Sequence, residues 1–259
     1  MEKPFFSCKV TEGIALMTID RPPLNIFSFS HYHELCAEIL KVIGTKEAKA
    51  VIVTGSHKVF ISGLDIKEIN GVKTPEENND VTLKVKALFR EIEKLPRPVI
   101  AAINGNCFGG GLELVMACHL RLASQDAKLG LPEINIGTIP SFGGTQRLPK
   151  IVGRAKALEL ILTGRLISGE EAARIGLVNE ACPSGELRDR AVSLARQVAS
   201  KNSMAVEAAT RATADALERD IEKGGTLESH LSSELTGTFN MKEGLAAFLE
   251  KRSPVFKDQ

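Results

Sequence analysis

The chain has 259 residues, enough to bury a sizeable core as one large domain or two smaller ones. Its 43% hydrophobic and 25% charged residues suit a soluble globular protein, and 33 basic against 32 acidic residues leave a net charge of +1. That balance argues against nucleic acid, or any other partner held by a broad field of one sign.

No apolar run approaches the ~20 residues of a membrane span, and the N-terminus lacks the basic-then-apolar pattern of a secretion signal. The expectation is a cytoplasmic protein, or one trimmed of a presequence, with no membrane association. Cys8, Cys36, Cys107, Cys118 and Cys182 are scattered and never form a C-x-x-C pair. They read as small buried hydrophobes in a reducing compartment.

In chain order, Phe5 to Val10 and Ile14 to Ile19 read as strands joined by a turn at Glu12-Gly13. A polar loop rich in proline leads to a helix, with Ser30 as candidate N-cap and Leu35, Ile39 and Ile43 on one face until Gly44. Ala50 to Thr54 is a buried-strand run. Val81, Val85, Leu88, Ile92 and Leu95 mark a second amphipathic helix, stopped by Pro96 and Pro98. Val99 to Ile103 is a strand that runs into a glycine cluster.

From Gly153 onward the periodic segments are nearly all helical: Arg154 to Leu162, Gly169 to Ile175, Leu187 to Ala199, Met204 to Glu218 and Lys242 to Lys251. The pattern predicts an α/β fold of repeated strand-strand-helix turns with a helical C-terminal layer.

Three segments carry candidate chemistry. Ile103 to Leu114 reads as a strand end, then Gly109-Gly110-Gly111, then a helix start. Backbone N–H groups at such a point favour a phosphate or a developing oxyanion. The residues that follow fit neither a Walker loop nor the dinucleotide pattern, which leaves an oxyanion site or close helix packing. Glu113 lies among Leu112, Leu114, Val115 and Met116, so it is either a functional buried carboxylate or a first-turn partner of the helix dipole. Glu133, after Leu131-Pro132, is a second carboxylate in an apolar setting, although alone it reads as a surface loop residue. In one pocket the two would divide acid and base roles.

The third segment is Val59 to Glu68. Gly63 lets the backbone turn, Leu64 begins a short helix and supplies another N–H donor, and Asp65 reads as a cap more than a catalyst. Lys67 is a phosphate contact or a solvated charge. His31 and His33 are two residues apart and do not share a helical face; His57, His119 and His230 are isolated, so no metal site is expected.

Taken together, the sequence resembles enoyl-CoA hydratases of the crotonase superfamily over nearly its whole length. The resemblance rests on Arg21-Pro22 with Asn25, Phe60 to Glu68, Gly109-Gly110-Gly111-Leu112-Glu113, and Leu131-Pro132-Glu133-Ile134. It continues in Gly137-Thr138-Ile139-Pro140, Gly143-Gly144-Thr145-Gln146-Arg147-Leu148 and Glu250-Lys251-Arg252. It implies a crotonase spiral core over residues 1–195 for acyl-CoA binding and catalysis. Residues 196–259 would be a helical layer for trimerisation and active-site cover, in a homotrimer or dimer of trimers.

The resemblance further implies an oxyanion hole from the N–H groups of Leu64 and Gly110, and a water held by Glu113 and Glu133. The reaction implied is hydration of a 2-enoyl thioester, with coenzyme A part of the substrate and no other cofactor. Ser62, Gly63, Asp65, Ile66, Gly109, Leu131, Pro140, Phe142, Gly143 and Lys251 match positions that contact substrate. Retention of both glutamates favours hydration over a crotonase-type isomerase acting on 3-enoyl thioesters, and the near-zero net charge disfavours an RNA-binding homologue. Leu131, Ser62 and Phe142 depart from the common Gln, Ala and small residue, and the bulk of Phe142 predicts a preference for short or compact acyl groups.

Overall fold

The computed structural model describes residues 5–45, 47–216 and 221–257. Strands β1 (Phe6–Thr11) and β2 (Ile14–Ile19) form an antiparallel hairpin. Its two turn residues, Glu12 and Gly13, both have positive φ, as a tight turn matched to strand twist requires. Helix α1 (Phe29–Gly44) leads to β3 (Ala50–Gly55), the short β4 (Val59–Ile61), α2 (Ile66–Gly71) and α3 (Pro75–Glu93). The pattern repeats with β5 (Val99–Ile103), β6 (Asn106–Phe108) and α4 (Gly110–Ala117). It repeats again with β7 (Leu120–Ser124), β8 (Lys128–Gly130), a 3-10 turn at Pro132–Ile136, α5 (Gly144–Val152) and α6 (Arg154–Thr163).

Each repeat places one strand in each of two sheets. The larger runs β1-β2-β3-β5-β7-β10, where β10 is Glu180–Cys182, and is parallel from β2 onward. The smaller runs β4-β6-β8-β9, where β9 is Ile167–Ser168, with β4, β6 and β8 parallel. The first two corners between sheets leave no room for side chains: a Cβ on Gly55 would strike the Val59 carbonyl, and one on Gly105 the Lys58 carbonyl. Asn104 ties two corners together, accepting from the Gly55 N–H at 2.9 Å and donating to the His57 carbonyl at 2.8 Å.

The larger sheet is buried on both faces, which explains its unbroken apolar runs. Val51, Val53, Val99, Ala101 and Ile103 face the main core. Ala50, Ile52, Ile100 and Ala102 pack under Leu187, Ala191 and Ala195 of α8 (Leu187–Ala199). Helix α7 (Gly169–Arg174) precedes β10; α9 (Ser203–Asp215), α10 (Ile221–Leu235) and α11 (Phe239–Leu249) follow α8.

Several expectations shift. The N-cap of α1 is Ser28, not Ser30: the Ser28 hydroxyl accepts from the His31 N–H, and the His31 ring accepts from the Ser28 N–H at 2.9 Å. This reciprocal cap draws Phe29 and Ser30 into the helix. The short helix begins at Ile66 rather than Leu64, because Asp65 caps it by accepting from the Lys67 N–H at 2.8 Å. Leu64 instead bridges to Phe27. The buried stripe of α3 is Thr82, Val85, Phe89 and Ile92, one residue off the Val81 and Leu88 register at two places. The last helix starts at Phe239, capped by Thr238, and ends at Leu249. The helix expected over Met204 to Glu218 is seen as α9; Glu218 lies outside the described residues.

Candidate active site

Three adjacent parallel strands, β4, β6 and β8, end on the same side of the smaller sheet. Ligands of parallel sheets bind beyond such carboxyl ends. The chain leaving β4 carries Ser62, Gly63 and Leu64; that leaving β6 carries Gly109, Gly110 and Glu113; that leaving β8 carries Leu131 and Glu133. The first two exits touch: a Cβ on Gly63 would lie 3.5 Å from the Phe108 carbonyl oxygen.

The Phe27–Leu64 bridge uses the N–H groups of Phe27 and Asp65, which donate to Gly63 and Phe27 carbonyls at 2.9 and 2.7 Å. The Leu64 N–H takes no part in it. Gly109 donates to the Gly130 carbonyl at 3.0 Å and adopts φ 52, ψ −126, a conformation open to glycine. Its carbonyl accepts the first helical bond of α4, from the Glu113 N–H at 3.0 Å, so the Gly110 N–H precedes the helical ladder. Gly110 must be glycine for space: a Cβ there would lie 2.5 Å from the Tyr32 hydroxyl and 3.0 Å from Cε2 of Phe142.

Glu113 is 1% exposed on α4, whose residues are all buried. Its Oε1 accepts from the N–H groups of Phe142 and Gly144, each at 2.7 Å. Burial, then the charge of Glu133, pushes its pKa up to about 8 against the pull of those two bonds and of Arg147. Glu133 sits in the 3-10 turn, with its Oε1 3.0 Å from where a Gly109 Cβ would be. Its Oε2 is buried without a hydrogen-bond partner among the described residues, and burial pushes its pKa up to about 7. The Gly109–Gly110 pair therefore has Glu133 against its first residue. Glu113 begins one turn later on the same helix.

The loop that holds Glu113 is itself held. Arg147 of α5 donates to the Phe142 carbonyl at 2.9 Å and makes a two-point ion pair with Glu93 at 2.7 and 3.1 Å. Phe142 closes the apolar side of the site, its ring 5.6 Å from that of Tyr32 and 6.2 Å from those of Phe29 and Phe89. Leu131, Pro140 and Gly143 are buried, and Ile66 is exposed. The Ser62 hydroxyl is buried with no hydrogen-bond partner among the described residues. Asp65 serves as the α2 cap. Lys251 stands apart, exposed just beyond α11 with φ 54.

Sequence reasoning missed Tyr32 and the Arg147–Glu93 pair. Tyr32 is the only tyrosine in the chain and lies on the buried face of α1. A cavity of about 740 Å³ opens on the outer side of the Arg147–Glu93 pair, between α3, the end of α4, α5 and α9; neither Glu113 nor Glu133 lines it.

Two sheets wound as strand-strand-helix turns, with backbone donors and paired carboxylates at the smaller sheet's strand ends, define a crotonase-fold enzyme. The enoyl-CoA hydratase/isomerase family model matches residues 9–259. A probable enoyl-CoA hydratase of Bacillus subtilis is 41% identical over 254 residues, covering 98% of each chain. A short-chain-enoyl-CoA hydratase of Clostridium acetobutylicum is 39% identical over 241 residues, covering 92% of each. The crystal structure of an enoyl-CoA hydratase from Bacillus anthracis superposes with a TM-score of 0.92 at 35% identity, over 98% of this chain and 100% of that one. The chain belongs to the enoyl-CoA hydratase/isomerase family. Among the described residues no helix is long and apolar enough to cross a membrane.

Proposed function

We propose that the protein hydrates 2-enoyl-CoA thioesters to 3-hydroxyacyl-CoA. The observation that carries this reading is the pair of carboxylates, Glu113 buried and Glu133 half-buried, both with pKa values raised to near neutrality, beside N–H donors at the strand ends. Near neutral pH the pair holds one proton between them. The ionised member takes a proton from water as the water oxygen bonds to C3. The C2–C3 π electrons move toward the thioester, and the negative charge collects on its oxygen. Leu64 and Gly110 donate to that oxygen; losing one such donor typically costs about 3 to 4 kcal/mol of transition-state stabilisation. The protonated member then delivers its proton to C2. The reaction needs nothing beyond water and the coenzyme A thioester.

Phe142, buried among the rings of Phe29, Tyr32 and Phe89, supports a short or compact acyl group, and the Clostridium relative carries short-chain in its name. Ser62, Gly63, Ile66, Leu131, Pro140 and Gly143 line the path proposed for the thioester, with Lys251 reaching the coenzyme A phosphates. The spiral core of residues 1–195 carries the chemistry. The helical region 196–259 packs against neighbouring subunits in a trimer or dimer of trimers and covers the site. Met241, Leu245, Phe248 and Leu249 of α11 support that assembly: they recur at helical spacing, and Phe248 and Leu249 are 81% and 79% exposed. All five cysteines are free thiols, in keeping with a reducing, cytoplasmic location.

Crotonyl-CoA provides the test. Loss of its conjugated enoyl absorbance with formation of 3-hydroxybutanoyl-CoA is expected. Near wild-type hydration by Glu113→Gln would remove the acid/base assignment.

A further inference from the structure

Tyr32 is fully buried, and its hydroxyl has no hydrogen-bond partner among the described residues. Leaving such a donor unpaired costs about 1 to 3 kcal/mol. Packing does not account for it. The rings around it, Phe27, Phe89 and Phe142 at 5.0, 5.8 and 5.6 Å, carry no oxygen, and a phenylalanine at position 32 would fill the same space. The hydroxyl lies against Gly110, 2.5 Å from where a Cβ of that residue would sit, so it adjoins the residue whose N–H heads α4. Glu133 also reaches this glycine pair, its Oε1 3.0 Å from where a Gly109 Cβ would be, while its Oε2 is buried without a partner among the described residues.

We propose that the Tyr32 hydroxyl is a third donor to the thioester oxygen, acting with the N–H groups of Leu64 and Gly110 when negative charge develops there. The inference rests on the thioester-enolate chemistry proposed above. Tyr32 transfers no proton. It keeps its own and donates a hydrogen bond while the enolate exists. Burial and the nearby charges of Glu113 and Glu133 push its pKa well above 10, so the phenol stays protonated across the working range. Such a donor is worth more in a dry site than in water, and it needs no reorganisation as the charge forms.

The experiment compares wild type with Tyr32→Phe, which deletes one oxygen and keeps the ring. Three quantities are read: kcat and KM for crotonyl-CoA, the dissociation constant of acetoacetyl-CoA, and the ultraviolet enolate absorbance of bound acetoacetyl-CoA at fixed pH. A third donor predicts that kcat and the enolate-to-keto ratio both fall about 10- to 100-fold, the contribution of one hydrogen bond to a charged group. The thermal midpoint should stay the same or rise, and the acetoacetyl-CoA dissociation constant should change by less than the enolate ratio. An unchanged kcat and enolate ratio would overturn the proposal. So would a variant that loses only stability or coenzyme A affinity, since those belong to a packing role. If wild type binds acetoacetyl-CoA as its enolate but leaves crotonyl-CoA unhydrated, the hydration reading fails while the enolate ratio still decides the role of Tyr32. If wild type stabilises no enolate, the Tyr32 proposal falls.

Discussion

Replacing Glu113 by glutamine should abolish hydration and, at neutral and alkaline pH, make the protein more stable. The glutamine oxygen can still accept from Phe142 and Gly144, so the two 2.7 Å bonds that hold the loop survive. What disappears is the cost of ionising a carboxylate that is 1% exposed. Its pKa is raised from 4.5 to about 8, so the folded state favours the proton more than the unfolded state does. Stability therefore falls as pH rises through the interval from 4.5 to about 8, and the loss is complete above it. At 1.36 kcal/mol per pH unit the penalty is about 3 kcal/mol at pH 7 and about 5 kcal/mol by pH 9. Part of that penalty is repulsion from Glu133, which the variant removes together with the burial cost. The new amide protons offset part of the gain if they find no acceptor. The assay is urea unfolding of both proteins at fixed concentration from pH 5 to pH 9. The stability difference should grow with pH by several kcal/mol. Parallel curves, or a variant that loses ground as pH rises, would refute the argument that burial sets the Glu113 charge.

The carboxylate pair predicts a bell-shaped dependence of hydration rate on pH. Activity should fall below about 7, where the pair takes a second proton, and above about 8, where it loses the shared one. Initial rates with crotonyl-CoA from pH 5.5 to 10 check this. Arg147→Met removes both the ion pair with Glu93 and the donor to the Phe142 carbonyl. Its positive charge also holds Glu113 down, so the alkaline limb should move upward while kcat drops, with a stability loss of about 2 kcal/mol for a pair whose side chains are only 14% and 22% exposed. Phe142→Ala opens the ring cluster at a cost of about 3 to 5 kcal/mol, the usual range for a buried aromatic. Hexenoyl- and octenoyl-CoA should then gain relative to crotonyl-CoA in kcat/KM; an unchanged ratio would mean that Phe142 does not bound the acyl group.

The elements legible in the sequence are those whose burial leaves a long signature. Val99–Ile103 and Ala50–Gly55 read as strands because both faces are covered, and Glu113 stood out because nothing around it is polar. Strands β4, β6 and β8 have three residues each, too few to display alternation, yet they deliver the site. Helices α5 and α10 carry weak sequence signals, the first beginning among glycines and the second containing Gly224 and Gly225. Tyr32 was invisible for a different reason. On the apolar face of α1 a tyrosine reads as one more core ring, and only its neighbours reveal that the hydroxyl has been left without a partner.

The spiral itself explains why so few residues make the site. The first two turns leave the larger sheet at a glycine corner too tight for a side chain, and every turn adds a short strand to the smaller sheet and exits at the same edge. The first exit brings Leu64, the second Gly110 and Glu113, and the third Glu133. The chain that follows returns as the loop 142–144, whose N–H groups reach the carboxylate of the previous turn. Parallel pairing spaces these exits by one strand width of about 4.8 Å. A substitution that shifts β6 by one residue would move Gly110 and Glu113 together and leave Leu64 and Glu133 behind. The site depends more on strand register in the smaller sheet than on any loop, and variants at Gly105 or Gly55 should lose activity without touching a reacting group.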